Sequence, residues 1–247
     1  MRFIEDLRDK YKNKEIWVLG TGPSLDDFPV DFFSGKTSIA MRPCDVIFSN
    51  FTFSICSYDT PGPCLQFRTN PARLKQEIFT LNPKHKKNWL GEYNEFPIFF
   101  RTLKPYSFSD SKMWEKVGPY VLRKHVEETI KQIMEKTSSH YAGIGIMQGW
   151  AIEVALVLGA NKITLVGCEG RITKYKRHAE RLGFLFRAGN RKIGFKPGQE
   201  FSKEQKILWE KWGRRARTEA QWLAEILQPY GVELSRYFYK KGYEAII

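Results

Sequence analysis

The sequence predicts an α/β fold in which a mostly parallel sheet is flanked by helices, with an irregular lid-like insertion and a C-terminal helix. Two observations predict it. An apolar run near the N-terminus, Glu15-Ile-Trp-Val-Leu-Gly20, breaks directly into Thr21-Gly-Pro-Ser24, as a strand does when it delivers the chain to a tight loop. Much later an Ala-, Val- and Leu-rich helical stretch at 147–158 stops at Gly159 and leads into Lys162-Ile-Thr-Leu-Val-Gly167. That is the order of a βαβ-type unit whose strand is buried on both faces. At 247 residues the chain can bury a sizeable core, and a single domain, 1–247, accounts for it better than two equal ones.

The elements follow in order. Residues 15–20 supply the first strand, and 37–41 and 45–53 supply further β-rich runs with short alternations of Ile, Val, Phe and Thr. Tyr58-Asp-Thr-Pro-Gly-Pro63 closes that unit with a proline-rich turn. Residues 66–118, rich in Asn, Pro, Lys and aromatics, read as an insertion or lid, although 96–103 has the composition of one more strand. After Pro119 the period changes to about 3.6 residues, with Leu122, Val126, Ile130, Ile133 and Met134 on one stripe. Glu127, Glu128, Lys131 and Lys136 lie largely off it, so this is a surface helix packed on the sheet. Ser202 with Gln205 forms a candidate capping box for a helix running to about residue 228, with Leu208, Trp212, Ala216, Leu223 and Leu227 on or near one face. Residues 232–236 read as a short closing strand.

Composition excludes several classes. No segment reaches the roughly 18 apolar residues of a membrane span, and the charged, amphipathic start Met1-Arg-Phe-Ile-Glu-Asp-Leu-Arg8 lacks the apolar core of a secretory signal. The expected location is therefore the cytoplasm. Cys44, Cys56, Cys64 and Cys168 are widely spaced, with no Cys-x-x-Cys pair and no clustered His, so they read as buried free thiols and not as a zinc site or a disulfide framework.

The net charge of +13 is unevenly placed. Residues 171–196 carry nine Lys or Arg against the single acid Glu180, a net +8, interleaved with Tyr175, Phe184, Phe186 and Phe195. This basic arm, extending over about 171–201, is suited to attract the phosphates of a nucleotide, an anionic glycan or a nucleic-acid backbone. A plain solvated basic loop has the same composition.

Two glycine-marked strand ends, 20–24 and 167–170, are site candidates, because ligands in such sheets sit at the carboxyl ends of strands. Gly20 permits a sharp turn, Gly22 leaves room for a ligand to approach the backbone, and Ser24 offers a hydroxyl. The loop lacks the third glycine of the dinucleotide fingerprint and the Gly-Lys-Ser/Thr of a Walker A loop. By spacing alone it is equally a phosphate cradle or a tight turn.

In motif and order the chain resembles the superfamily that joins bacterial sialyltransferase-like glycosyltransferases to the 6-hydroxymethylpterin diphosphokinase family. The resemblance rests on Gly20-Thr-Gly-Pro-Ser-Leu25 and on a Gly-rich turn before a helix that ends in Leu158-Gly-Ala-Asn-Lys-Ile-Thr-Leu-Val-Gly-Cys-Glu169. It covers 15–60 and 139–236, not the middle third. It implies a Rossmann-like sheet binding a nucleotide donor, with Gly20, Thr21, Gly22, Pro23 and Ser24 near its phosphates or ribose and Gly143, Ile144 and Gly145 making a second contact. Two positions depart from the family pattern. Arg42 stands where members place Asn, adding a cation able to pair with phosphate, and Glu169 stands where they place Asp, carrying the same charge one methylene further out. Asp59 matches a further acidic position.

The resemblance implies a nucleotide-sugar-dependent transfer to a hydroxyl acceptor. Such a reaction needs a base, cations for the departing phosphate and a pocket that excludes water. By resemblance the base is His178, in Tyr175-Lys-Arg-His-Ala-Glu180, where neighbouring cations keep an imidazole neutral with or without a catalytic purpose. Arg171, Lys174 and Tyr175 are the natural phosphate ligands. His140 precedes the second Gly turn, His125 reads as structural and His85 as solvated, while Trp209, Trp212 and Trp222 read as packing. With no Asp-x-Asp motif, the transfer is expected to need no metal. An ATP-dependent diphosphokinase, with Mg²⁺ held by Asp59 and Glu169, is the alternative. Transfer to DNA or another nucleic acid, or a non-enzymatic basic binding module, are others.

Overall fold

The computed structural model describes residues 2–41, 48, 51–56, 76–81, 98–103, 111–137, 140–141, 147–169, 202–241 and 243–246. In chain order these form β1 (Arg2–Phe3), β2 (Lys14–Leu19), β3 (Ser38–Met41), β4 (Phe53–Cys56), β5 (Gln76–Leu81), β6 (Ile98–Leu103), α1 (Ser111–Met134) and β7 (His140–Tyr141). They continue as α2 (Met147–Val157), β8 (Ala160–Val166), α3 (Lys203–Leu227), β9 (Glu233–Phe238) and β10 (Tyr243–Ile246), with short 3-10 turns between some of them.

The strands make one sheet in the order β1-β6-β5-β4-β3-β2-β8-β9-β10, with β7 also paired to β6. Every pairing is parallel except that of β9 with β10. From β2 the chain winds outward through β3, β4, β5 and β6, then returns to lay β8 on the other side of β2. The winding direction therefore reverses between β2 and β8. In an open α/β sheet that reversal opens a crevice beyond the carboxyl ends of the two strands. The molecule is an α/β, Rossmann-like fold with a mostly parallel sheet.

Alternation along the strands separates two cores. Ile16 and Val18 of β2, Ile39 of β3, Phe53 and Ile55 of β4, Ile163 and Leu165 of β8 and Leu234 of β9 face the helices. There they meet Val126, Ile130 and Ile133 of α1, the buried run 151–158 at α2, and Leu223 and Leu227 of α3. Of the stripe expected on α1, Val126, Ile130 and Ile133 are buried and Met134 partly so, the side chain of Leu122 lying outside the described ones, and Glu127, Glu128, Lys131 and Lys136 are exposed as their spacing requires. Residues of the opposite parity, Trp17, Leu19, Ala40 and Val166, face the other way and are covered by Leu25, Phe28, Phe33, Phe48 and Phe51. Among the described residues that second face carries irregular chain and a 3-10 turn, while the three α-helices share the first.

The N-terminal segment ties the helix layer to the sheet. Ile4 and Leu7 are buried, and the Arg8 guanidinium donates to the Ile133 carbonyl at the end of α1 at 3.2 Å. The amides of Asp9, Tyr11 and Asn13 donate to the carbonyls of Val157, Leu158 and Gly159 at 3.0, 2.8 and 2.9 Å. These bonds satisfy acceptors that the end of α2 leaves without partners in its own helix. Gly159 stops α2 as expected, at φ +90°, and a Cβ there would stand 2.9 Å from the Lys12 Cα. Position 159 therefore needs glycine for two reasons.

Several boundaries differ from the sequence reading. Of the β-rich run over 45–53, residues 45–47 and 49–50 lie outside the described residues, Phe48, Phe51 and Thr52 lie outside any strand, and β4 begins at Phe53. Before it, Ser38 and Thr52 exchange side-chain bonds with each other's backbone, Ser38 N–H to Thr52 Oγ1 at 3.0 Å and Thr52 N–H to Ser38 Oγ at 3.3 Å. The Thr52 amide also donates to the Ser38 carbonyl at 3.1 Å, so the chain is tied to the start of β3 just before β4 begins. Within 66–118, where the composition reads as irregular, β5 and β6 are strands inside the sheet, and the one anticipated over 96–103 is β6. Helix α1 begins at Ser111 and runs through Pro119, although an interior proline is a strong stop signal. The closing strand runs on to Phe238 and is followed by β10, which pairs back on it.

Candidate functional site

The crevice between β2 and β8 is formed by the two glycine-marked segments that the sequence singles out. The Gly20 amide donates to the Val166 carbonyl and the Gly22 amide to the Gly167 carbonyl, both at 2.7 Å. The strand pairing thus continues past the ends of β2 and β8 and draws the two loops together. Pro23 then opens a 3-10 turn, Pro23–Asp27, whose first bond runs from the Leu25 amide to the Gly22 carbonyl at 3.1 Å. Proline is suited to that position, since its missing N–H is not needed there.

This close approach explains the glycines. A Cβ on Gly20 would collide with the Gly167 carbonyl oxygen and stand 2.5 Å from Cys168 Sγ. One on Gly22 would overlap Glu169 Oε2 and stand 2.7 Å from the Gly167 oxygen. Gly167 itself sits at φ +65° with the Leu25 side chain against it. The expectation that Gly22 leaves space for a ligand is therefore corrected: the space is filled by the chain's own carboxylate.

Glu169 is the centre of the site. Its Oε1 accepts the Ser24 amide at 3.1 Å, while Oε2 and the Ser24 hydroxyl are inaccessible to solvent and have no hydrogen-bond partner. Burial raises the carboxyl above its usual range; its own amide, the Ser24 amide and the Arg236 guanidinium oppose that shift, and the negative charge of Asp27 adds to it. The neighbouring Cys168 is a buried free thiol, as its spacing suggests, and donates weakly to the Val166 carbonyl at 3.5 Å. Burial, reinforced by the Glu169 charge, pushes it up to about 12, so it is no nucleophile.

An aromatic wall flanks the crevice. Phe28 and Phe32 follow the 3-10 turn, lie 5.0 Å apart between ring centroids, and pack on Tyr237 of β9 and on Tyr239 just beyond it at 5.3–6.0 Å. Lys240 pairs with Asp27 at 2.5 Å, and Lys36 lies over the Phe32 ring, 4.6 Å from its centroid. Tyr239 keeps 39% of its surface exposed.

Of the residues expected at a site, Gly20, Thr21, Gly22, Pro23, Ser24 and Glu169 are brought to one crevice. Arg42, Asp59, Gly143, Ile144, Gly145, Arg171, Lys174, Tyr175 and His178 lie outside the described residues. His140 is at the carboxyl end of β6, paired with Thr102. It belongs to β7, five strand steps from β2, about 24 Å across the sheet at the usual spacing. Sequence reasoning missed Arg236 and Asp27. Arg236 reaches the crevice only because β9 pairs in parallel beside β8, with Arg236 opposite Leu165, and nothing local in the sequence announces that register. Among the described residues no group of three His, Cys, Asp or Glu is placed to hold a metal ion, and no helix is long and apolar enough to cross a membrane. In comparisons with family models, curated proteins and solved structures nothing matches this chain, so the meaning of the crevice rests on its own residues.

Proposed function

We propose that the chain is a nucleotide-sugar-dependent glycosyltransferase of the sialyltransferase-like kind, transferring a sugar to a hydroxyl acceptor. One observation carries the reading: the Gly20–Ser24 loop and the Gly167–Glu169 segment are hydrogen-bonded together at the point where the sheet reverses its winding, the place where such folds hold nucleotides. In this reading the loop and Glu169 hold the nucleotide part of the donor. Arg171, Lys174 and Tyr175 neutralise the departing phosphate. His178 takes the acceptor proton as the new bond to the sugar forms and the bond to the nucleotide phosphate breaks.

Thermal-shift measurements with CMP, UDP, GDP and ATP test the donor site. A ligand at a hundred times its dissociation constant stabilises by about 2.7 kcal/mol, which for a chain of this size raises Tm by roughly 5–10 °C. No shift with any of the four would remove the donor site. His178→Ala is expected to abolish turnover with nucleotide binding intact, and unchanged turnover rejects His178 as the base.

A further inference from the structure

Helix α3 is longer than the sheet it packs on. Its end is tied to the start of β9 by the bond from the Val232 amide to the Leu227 carbonyl at 3.3 Å, and β9 runs parallel to β8. The helix therefore runs against the strand direction, and its first residues lie at the carboxyl ends of the strands, on the side of the crevice. Its 25 residues span about 37 Å, whereas the six of β9 span about 20 Å. Burial follows that difference: among the described side chains of α3, Glu219, Ala220, Leu223, Ile226 and Leu227 are buried, all in its second half. The leading half stands beyond the sheet.

The face of α3 turned away from the core carries Lys203, Ile207, Arg214, Gln221 and Glu225, all exposed. Its charge changes along the helix. The leading half has Lys203 and Arg214, with Lys206 partly exposed beside them, and the trailing half has Gln221 and Glu225, the latter paired with Arg123 at 2.7 Å. Two acids lie among the leading cations. Glu210 is paired with Arg217 at 2.9 Å, and Glu204 accepts the Ser202 hydroxyl at 2.8 Å. In the sequence the excess is wider still: residues 171–217 hold fifteen Lys or Arg against Glu180, Glu200, Glu204 and Glu210, a net +11 of the chain's +13. The rest of the chain is nearly neutral.

We propose that the outward face of the leading half of α3 is a docking surface for the sugar–phosphate backbone of a nucleic-acid duplex, bound beside the crevice without regard to base sequence. Such a duplex carries one negative charge per about 1.7 Å of its axis. Lys203 and Arg214, eleven residues apart on a straight helix, are separated by about 16 Å, so one backbone can meet both. A bilayer is a poorer match, because it calls for apolar surface to enter it. Among the described residues Ile207, 60% exposed, is the one large apolar side chain exposed on α3.

The test is fluorescence anisotropy with a labelled duplex DNA of about 24 base pairs and arbitrary sequence, over a range of KCl concentrations. No nucleotide is present, so the result is independent of whether the crevice holds a donor. Affinity is expected to fall steeply as salt rises, and Lys203→Gln with Arg214→Gln is expected to make the slope of log K against log salt shallower by about 2. The charge-matched control, Lys10→Gln with Lys14→Gln, removes exposed lysines before and at the start of β2, at the opposite end of the sheet, and leaves the slope unchanged. An equal change in both double variants overturns the proposal, because net charge and not this surface then drives binding. Absence of duplex binding at low salt overturns it as well. In that case capture by phosphatidylserine vesicles would assign the surface to lipid headgroups, and capture by heparin would assign it to an anionic glycan.

Discussion

The Ser24 amide donates to Glu169 Oε1 at 3.1 Å, joining residues 145 positions apart in the chain. Together with the Gly20 and Gly22 amide bonds, this bond fixes how the loop after β2 sits against the end of β8. Substitutions here act on folding and on binding to different degrees, which allows the two to be separated.

Gly20→Ala and Gly22→Ala should differ in kind. At Gly20 the added methyl meets the Gly167 backbone carbonyl, which cannot move without parting β2 from β8, so about 2–4 kcal/mol of stability is lost. At Gly22 it meets first the far end of the Glu169 side chain. That end can swing away, so the loss of stability is about 1–2 kcal/mol, while nucleotide binding is impaired because the carboxylate has been displaced. Urea denaturation of both variants together with nucleotide titration checks the pairing, and the opposite order of stabilities would mean that the strand ends are looser than described.

The Glu169 carboxyl makes stability depend on pH in an unusual direction. Burial raises it, so between its unfolded and folded values the native chain holds a proton that the unfolded chain has released. Its contribution is fully present below the ordinary carboxylate range and is lost as pH rises through the raised value. Glu169→Gln has no such proton. The stability of the wild type relative to this variant therefore declines with rising pH over that window and is level on either side. A relative stability that rises with pH would show that Arg236 and the Ser24 amide outweigh burial.

Cys168 should resist alkylation in the native state. With the thiol pushed up to about 12 by burial and the nearby Glu169 charge, almost none is thiolate at pH 8. Iodoacetamide treatment followed by peptide mapping should leave Cys168 unmodified until denaturant is added. Rapid native labelling would mean that the end of β8 opens readily.

Two glycines with positive φ offer a matched comparison. Gly159 and Gly35 have φ of +90° and +75°, but only at Gly159 would a Cβ meet the chain, 2.9 Å from the Lys12 Cα. Gly35→Ala is expected to cost about 1–2 kcal/mol for the backbone conformation alone, and Gly159→Ala about 2–4 kcal/mol once the contact is added. Thermal or urea unfolding of the pair measures the difference.

Metal removal separates the proposed transfer from its diphosphokinase alternative. Sugar transfer is expected to proceed undiminished in excess chelator, whereas a pyrophosphate transfer from ATP stops without Mg²⁺. Activity abolished by chelator and restored by Mg²⁺ would favour the kinase.

What the sequence reveals here follows the range of the interactions involved. The Ile16–Leu19 run, the stripe Val126, Ile130 and Ile133, and the stop at Gly159 are local patterns, and each marks its element correctly. Strand β5 is set by pairing with β4 and β6, and Gln76-Glu77 at its start hides it among polar residues. The turn back from β9 to β10 escapes notice for a similar reason, because Val232-Glu-Leu-Ser-Arg236 already looks complete. At the site the sequence points to both glycine loops, but the reason for the glycines is a register between β2 and β8 that no local window contains. The same register brings Glu169 to Ser24, and the neighbouring pairing of β9 adds Arg236.

The ties between the N-terminal segment and the end of α2 also bear on how the chain is made. Synthesis proceeds from the N-terminus, yet Asp9, Tyr11 and Asn13 bond to 157–159 and β2 pairs with β8. At about 5–20 residues per second, the first residues to leave the ribosome wait roughly 7–30 s for these partners. Throughout that interval Ile16-Trp-Val-Leu19 is an apolar strand with one edge open, the kind of segment that chaperones shield. A nascent chain halted before residue 160 lacks β8 altogether, and its Gly20–Ser24 loop has no opposite wall against which to take shape.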